Sequence, residues 1–279
     1  MGAGRATSCA SGTRPLLALS EQAYAERFDR GLTWARLLEA KHDNLRAALD
    51  HWHDLGPTRY LQLAGALGWF WDARTHFAEA ARRLEHALRP DPVPDPSLAR
   101  ALGAAGTIDS NRGAHVAGLR RLEKALAVSR SLDDEAELAA LENALGWALH
   151  LADEQPRALQ LFEENLEHAR SLNHQGLINR ALSGICQELV ATGDAARAEP
   201  LAEELYVLTR DSEDVWCMSA GDHSSPLRHV STGLRPCRTA PPGCSRESAL
   251  VVGDVWQQAS ELLGFAFTAA GLGRYEDAL

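Results

Sequence analysis

The stretch Ala139–Asn173, AALENALGWALHLADEQPRALQLFEENLEHARSLN, decides the fold. With Leu138 just ahead, Leu141, Leu145 and Leu149 recur at helical spacing, and Gly146 notches that apolar stripe so that a neighbouring backbone can approach. Ala158, Leu159, Phe162 and Leu166 form a second stripe. Between the two lies Asp153-Glu154-Gln155-Pro156; Pro suits a helix start, because the donor it lacks is orphaned there anyway. The stretch reads as two amphipathic helices joined by a tight polar turn.

One hairpin cannot bury both of its faces, which makes internal repeats the next thing to seek. Forty residues upstream, Ala105-Gly106 stands where Leu145-Gly146 stands, and Ala125-Leu126 where Asn165-Leu166 does. Forty downstream, Ile185-Cys186 takes the same place and Ala158 maps to Ala198. A fourth copy, at a slightly shorter interval, holds Leu67-Gly68, Trp71, Ala80, Leu84 and Ala87. The ruler makes Gly106, Gly146 and Cys186 packing notches, with Gly68 in the same role slightly off register, and makes Trp71 a core residue.

These positions resemble the tetratricopeptide pattern: Leu-Gly, a large apolar residue three on, then small, large apolar and small residues in a second helix. The resemblance covers most of residues 57–210. The period exceeds the roughly 34 residues usual for that repeat and touches the lower edge of HEAT-type spacing; the small residues favour the former. It implies an all-α fold, a tetratricopeptide-like right-handed solenoid of helical hairpins with a period of about 40 residues.

The 279 residues, 45% apolar and 24% charged, can bury a sizeable core, and an Ala- and Leu-rich composition favours helix throughout. No run approaches the length of a membrane span, and the N-terminal apolar run Leu16–Leu19 is too short for a secretory signal, so the expected location is cytoplasmic. A formal charge of −10 argues against direct nucleic-acid binding, which needs clustered positive charge. None of Cys9, Cys186, Cys217, Cys237 and Cys244 forms a Cys-x-x-Cys pair, and no His stands at zinc-ligand spacing from two of them. His51 and His53 lie on different sides of a helix. No metal and no cofactor is expected. Carboxylates such as Asp133-Asp134-Glu135 and Glu163-Glu164 sit on polar helix faces, and no nucleophile elbow or triad spacing occurs, so the chain reads as a non-enzyme.

Residues 1–15 lack periodicity and are expected to be disordered, with a helix beginning after Ser20 as its cap. In the leading helices of 16–56, Trp34, Leu37, Leu38, Lys41, Leu45, Ala48, Leu49 and Trp52 make one broad stripe. The wording of Leu38–Trp52, LEAKHDNLRAALDHW, is similar to a junction in actinobacterial transcriptional regulators of the signal-transducing ATPase class, and Ala66–Trp71 and Arg82–Leu88 extend the likeness. Lys41 departs from the acidic residue common there. The resemblance implies a sensor region of tetratricopeptide repeats that restrains an attached ATPase or DNA-binding module. No Gly-x-x-x-x-Gly-Lys-Ser/Thr motif occurs here, so that module is expected in trans and the chain reads as a regulatory fragment.

Arg89–Pro96 is a proline-rich break after which Asp95 caps the next helix with Pro96 at its first position. Residues 211–248 form a degenerate segment: 217–246 hold four prolines, three glycines and three cysteines, yet Asp214-Val215-Trp216 recurs 40 residues on as Asp254-Val255-Trp256. Length kept while chemistry is lost suggests a stretch read out of frame over 217–245. Residues 249–279 read as a truncated terminal repeat whose uncovered apolar face could support a homo-oligomer.

In a tetratricopeptide stack the first helix of each repeat lines the concave face. The register places Trp69, Asp72, Arg100, Ser110, Asn111, Asn143, Trp147, His150, Arg180 and Gln187 there, a groove suited to an extended peptide or an acidic ligand. The competing readings are that Trp69 and Trp147 fill gaps between helices, and that Arg100 and Arg180 are solvated or paired with Glu. The function expected is a protein- or ligand-binding scaffold, the alternative a structural adaptor or dimerisation module.

Overall fold

The computed structural model describes residues 3–89 and 93–209. The expectations for 211–248 and 249–279 fall outside these residues. Among the described residues there are eleven helices and no strand: α1 (Ala3–Ala25), α2 (Gly31–Ala40), α3 (His42–Trp52), α4 (Pro57–Ala73), α5 (Phe77–Leu88), α6 (Pro96–Asn111), α7 (His115–Ser131), α8 (Glu135–Leu151), α9 (Gln155–Ser171), α10 (Gln175–Ala191) and α11 (Ala195–Thr209). From α4 onward they pair as four hairpins, each first helix packing on its own second helix and on the first helix of the next hairpin. This is the all-α helical-repeat architecture that the sequence periodicity implies.

The hairpins close by one device, repeated on the ruler. A left-handed residue stops each first helix: Thr75 (φ 56°), Gly113 (φ 85°), Asp153 (φ 64°) and Gly193 (φ 77°). The next N–H reaches back over the helix end, His76 to the Trp71 carbonyl (2.8 Å), Ala114 to Asp109 (2.8 Å), Glu154 to Leu149 (2.9 Å) and Asp194 to Leu189 (2.8 Å). These are Schellman closures, which satisfy carbonyls that the helix leaves unpaired. The same left-handed step recurs between hairpins at Asp133 (φ 54°) and Asn173 (φ 51°). Asp95 caps α6 as expected, its carboxylate accepting from the Leu98 N–H at 2.7 Å, and Asp134 caps α8 through the Glu137 N–H at 3.1 Å.

Glycine notches set how closely the helices approach. A Cβ added at Gly146 would lie 2.5 Å from the Phe162 ring of α9, and one added at Gly184 of α10 would lie equally close to that ring. Phe162 is fully buried between them. Cys186, on the Gly146 register, is buried as expected, and burial pushes its thiol up to about 12, but the glycine facing Phe162 from α10 is Gly184. Gly106 approaches the Gly118 carbonyl of its own partner helix, whereas Gly68 faces Ala104 of the next hairpin, so its role differs from that of the other notches. Trp71 is completely buried.

The N-terminal third departs from expectation. The segment read as disordered through residue 15 is helical from Ala3, and α1 continues through Pro15. Ser20 lies buried within α1, where its hydroxyl donates to the Leu16 carbonyl at 2.9 Å and caps nothing. Leu16, Leu17, Leu19 and Ala23 pack on the core, so tertiary burial holds a helix that local pattern did not announce. The stripe from Trp34 to Trp52 is broken at Lys41 (φ −110°, ψ 8°), where α2 gives way to α3 and turns His42 inward.

Two substitutions test this reading. Gly146→Ala gains helix propensity worth about 1 kcal/mol but drives a methyl into a ring with nowhere to move; a net loss of about 1–2 kcal/mol is expected as a lower urea midpoint. Thr75→Gly relieves a β-branched residue of left-handed strain worth about 1–2 kcal/mol at a smaller entropic cost, so its midpoint should rise. A fall in the latter would show that the Thr75 side chain stabilises the turn more than its backbone strains it.

Candidate functional site

The face lined by α4, α6, α8 and α10 is partly covered by the chain's own N-terminal segment. After α1 ends at Ala25, a compact turn places the Arg30 N–H on the Glu26 carbonyl (2.9 Å), and the Glu26 carboxylate accepts from the Trp34 indole N–H (2.9 Å) and pairs with Arg30 (3.3 Å). Tyr24 from the last turn of α1, and Arg27 and Phe28 from the turn that follows, project onto three successive first helices. The Tyr24 hydroxyl donates to the buried Glu137 carboxylate of α8, 2.6 Å from one oxygen and 2.8 Å from the other. The Arg27 guanidinium lies 3.5 Å from the same carboxylate. Phe28 sits against Gly176 of α10, where an added Cβ would come within 2.5 Å of it, and meets the His174 ring edge-on at 5.4 Å.

Charge and aromatic faces alternate across this contact. Arg27 stacks on both Tyr24 (3.7 Å to the ring centroid) and Phe28 (4.2 Å), Arg100 of α6 lies 4.4 Å from the Tyr24 ring, and Arg180 of α10 lies 4.8 Å from the Phe28 ring. Three guanidiniums thus share two rings around a single buried carboxylate. Each cation–π contact contributes about 0.5–2 kcal/mol, more where water is excluded. Burial, reinforced by the Glu137 carboxylate, raises the Tyr24 hydroxyl well above its usual range, so it remains a donor. Phe28 completes a small apolar cluster with Ala139, Ala169 and Leu177, distinct from the two larger clusters that fill the repeats.

The residues placed on this face by register fall into several settings. Arg100 and Arg180, two repeats apart, are the two that bracket the N-terminal segment. Asp72 and Asn111 join adjacent first helices through a 2.8 Å hydrogen bond. Trp147 meets His150 edge-on at 5.6 Å and Phe162 at 5.5 Å, while His150 Nδ1 lies 2.7 Å from the fully buried Glu188 carboxylate. Asn143 is buried with its amide nitrogen lacking a hydrogen-bond partner, and Gln187 is exposed. Trp69 is half-buried, packed near Leu32 and Ala73. Ser110 is a correction: it is buried, its hydroxyl bonded to the Gly106 carbonyl at 3.0 Å, and it packs against Gly118 of α7 rather than facing the groove.

Sequence reasoning missed Tyr24, Arg27, Phe28, Glu137 and Glu188. The signal that could have found the first three is the pattern Tyr-x-x-Arg-Phe, two aromatic residues flanking a cation just before a helix start. Glu137 and Glu188 carry no such mark.

A second cluster joins α2 and α3 to the first hairpin. Glu39, His42 and His76 bring three ligand-type atoms within 4.8 Å of one another, and His42 Nε2 lies 3.2 Å from Glu79 without hydrogen-bond geometry. The carboxylates are already engaged: Arg74 Nε donates to Glu39 at 3.0 Å, and the Arg46 guanidinium donates to Glu79 at 2.7 Å and 3.0 Å. Burial works against ionisation of Glu79, yet Arg46 and His42 hold its carboxyl below the usual range, and burial lowers His42. A divalent cation here would have to enter beside guanidiniums that already balance both carboxylates, so the arrangement fits an ion-pair clasp better than a metal centre.

The Glu188–His150 pair has a pH signature. Burial raises the Glu188 carboxyl more than His150 lowers it. A carboxyl raised in the folded state contributes stability below its unfolded pKa and loses it as pH rises through the folded value. Glu188→Gln keeps an acceptor for His150 without the charge, so its thermal midpoint should exceed the native one at pH 8 and converge with it below about pH 4. A lower midpoint at pH 8 would show that pairing outweighs desolvation.

No protein-family model matches the chain, and no curated protein matches it either. Among solved structures it is similar to a Rap protein complexed with competence and sporulation factor, with a TM-score of 0.60 and 13% identity over 88% of this chain and 71% of that one. A second similar structure is BtubC from P. vanneervenii, with a TM-score of 0.44 and 13% identity over 95% of this chain and 86% of that one. In fold, the chain is a tetratricopeptide-like helical repeat.

Proposed function

We propose that this chain is a non-catalytic scaffold whose first-helix face binds an extended peptide or protein segment. The observation that carries the reading is that this face already holds a short segment of its own chain, with Tyr24, Arg27 and Phe28 received by Glu137, Arg100, Gly176 and Arg180. Tyr and Arg anchors desolvated at the centre of a contact are the residues that dominate binding energy in protein interfaces. The Rap likeness supports it further, since that protein was solved with a factor bound.

The finer reading is a sensor region acting on an ATPase or DNA-binding module supplied in trans, in cytoplasmic transcriptional regulation. It rests on the resemblance of Leu38–Trp52 to actinobacterial regulators. Among the described residues no helix is long and apolar enough to cross a membrane, and the acidic charge leaves DNA contact to the partner module.

Panning a displayed random peptide library on the purified chain, and on a Tyr24→Ala/Phe28→Ala form with the segment released, tests binding directly. Enrichment of a common pattern is expected, with capture reduced at least tenfold by combining Trp147→Ala and Arg180→Ala while the circular dichroism stays helical. No enrichment on either form would overturn the reading.

A further inference from the structure

We propose that Tyr24–Phe28 is a resident internal ligand: the face selects peptides in which two aromatic residues flank an arginine as Tyr-x-x-Arg-Phe, and such a peptide binds by displacing the chain's own segment. The inference rests on the peptide-binding function proposed above and adds both the chemistry of the partner and the regulation of access.

Four observations separate a ligand-like segment from ordinary core. First, the contact is long-range: Tyr24 and Glu137 are 113 residues apart in sequence, and the segment touches α6, α8 and α10 in turn. Second, its anchor is polar, a hydroxyl and a guanidinium converging on one carboxylate that is 7% exposed. Tyr, Phe and Arg, the three residues that make the contact, are the types enriched in recognition interfaces. Third, Tyr24 belongs to none of the apolar clusters and Phe28 only to the small one it makes with Ala139, Ala169 and Leu177, so the two large clusters are built without either ring. Fourth, residues 26–30 form a compact turn of their own, held by local interactions of Glu26 with Arg30 and with the Trp34 indole.

The receiving surface also has a readable code. Arg100 and Arg180 stand on either side of Glu137, an order of cation, anion, cation along three first helices. A complementary peptide puts a π-face at each arginine and a cation at the carboxylate, with Gly176 leaving room for the second ring. The Tyr hydroxyl adds directionality, because Glu137 accepts it through both oxygens. An acidic peptide would place its charge on Glu137 and leave the ring positions empty. Because the segment is part of the same chain, held between α1 and α2, it competes as an intramolecular ligand, at a high effective concentration. External peptide therefore binds the native chain weakly until the segment yields.

The probe is a fluorescent peptide copying residues 20–30 of this chain, SEQAYAERFDR, titrated by anisotropy. The Tyr24→Ala/Phe28→Ala chain should bind it at least tenfold more tightly than the native chain. Adding Glu137→Gln to that double variant should weaken binding at least tenfold, as should Arg27→Ala within the peptide. Should the double variant fail to fold, Arg27→Ala alone loses the shared guanidinium, keeps both rings, and should likewise bind the peptide more tightly than native. Equal affinity of the peptide for native and released chains, at unchanged helicity, overturns the internal-ligand proposal. If panning instead yields peptides without the aromatic–arginine–aromatic pattern that bind both forms alike, the binding function stands and this inference falls.

Discussion

The molecule depends on each first helix being stopped at the same point. A left-handed residue and an N–H reaching five residues back end α4, α6, α8 and α10 on a spacing of about 40, and the return helix then packs at a fixed offset. Were one of these turns to slip by a residue, its helix would rotate by about 100° and carry its stripe out of the stack. Arg100 and Arg180 stand two periods apart on the same face because two such turns, at Gly113 and Asp153, lie between them. Thr75 and Asp153 occupy a conformation that suits glycine better, which indicates how strongly the closure constrains the backbone.

Packing then converts this regularity into a usable surface. Phe162 between Gly146 and Gly184 lets α8 and α10 sit close on either side of one ring, and that spacing brings Glu137 of α8 and Gly176 of α10 within reach of one short turn. A surface so built suits an extended occupant, since contact points arrive helix by helix along the stack. The N-terminal segment meets three of these contact points with a helix end and the turn that follows it, and the polarity of its anchor distinguishes this contact from the apolar layers beneath. The clasp of Glu39, His42, Arg46, Arg74, His76 and Glu79 ties the end of α2 and the start of α3 to the first hairpin.

Parts of this were legible because their causes are local. Asp95-Pro96 announces a helix start by itself, and the Leu145-Gly146 and Phe162 pattern reports a hairpin through spacing alone. The candidate face was legible only as a register: Arg100, Arg180, Trp147 and His150 could be placed on first helices, but not assigned partners. Ser110 was misplaced because, one helical turn on from Gly106, it shares the side of α6 that packs on Gly118 of α7. Helix α1 escaped notice because its small polar residues and Pro15 carry no stripe, and burial of Leu16, Leu17, Leu19 and Ala23 supplies what propensity does not.

By itself the sequence determined the repeat, its period, the hairpin turns and the small residues at the notches, since each follows from the order of neighbours within one helical hairpin. Only the tertiary structure decided what occupies the first-helix face. Tyr24 and Glu137 are ordinary residues until folding brings together positions 113 apart, and no local rule marks one carboxylate among 38 acidic residues as the one that is buried beneath a tyrosine. Contacts of that range are made by stacking, and stacking is a property of the assembled repeats.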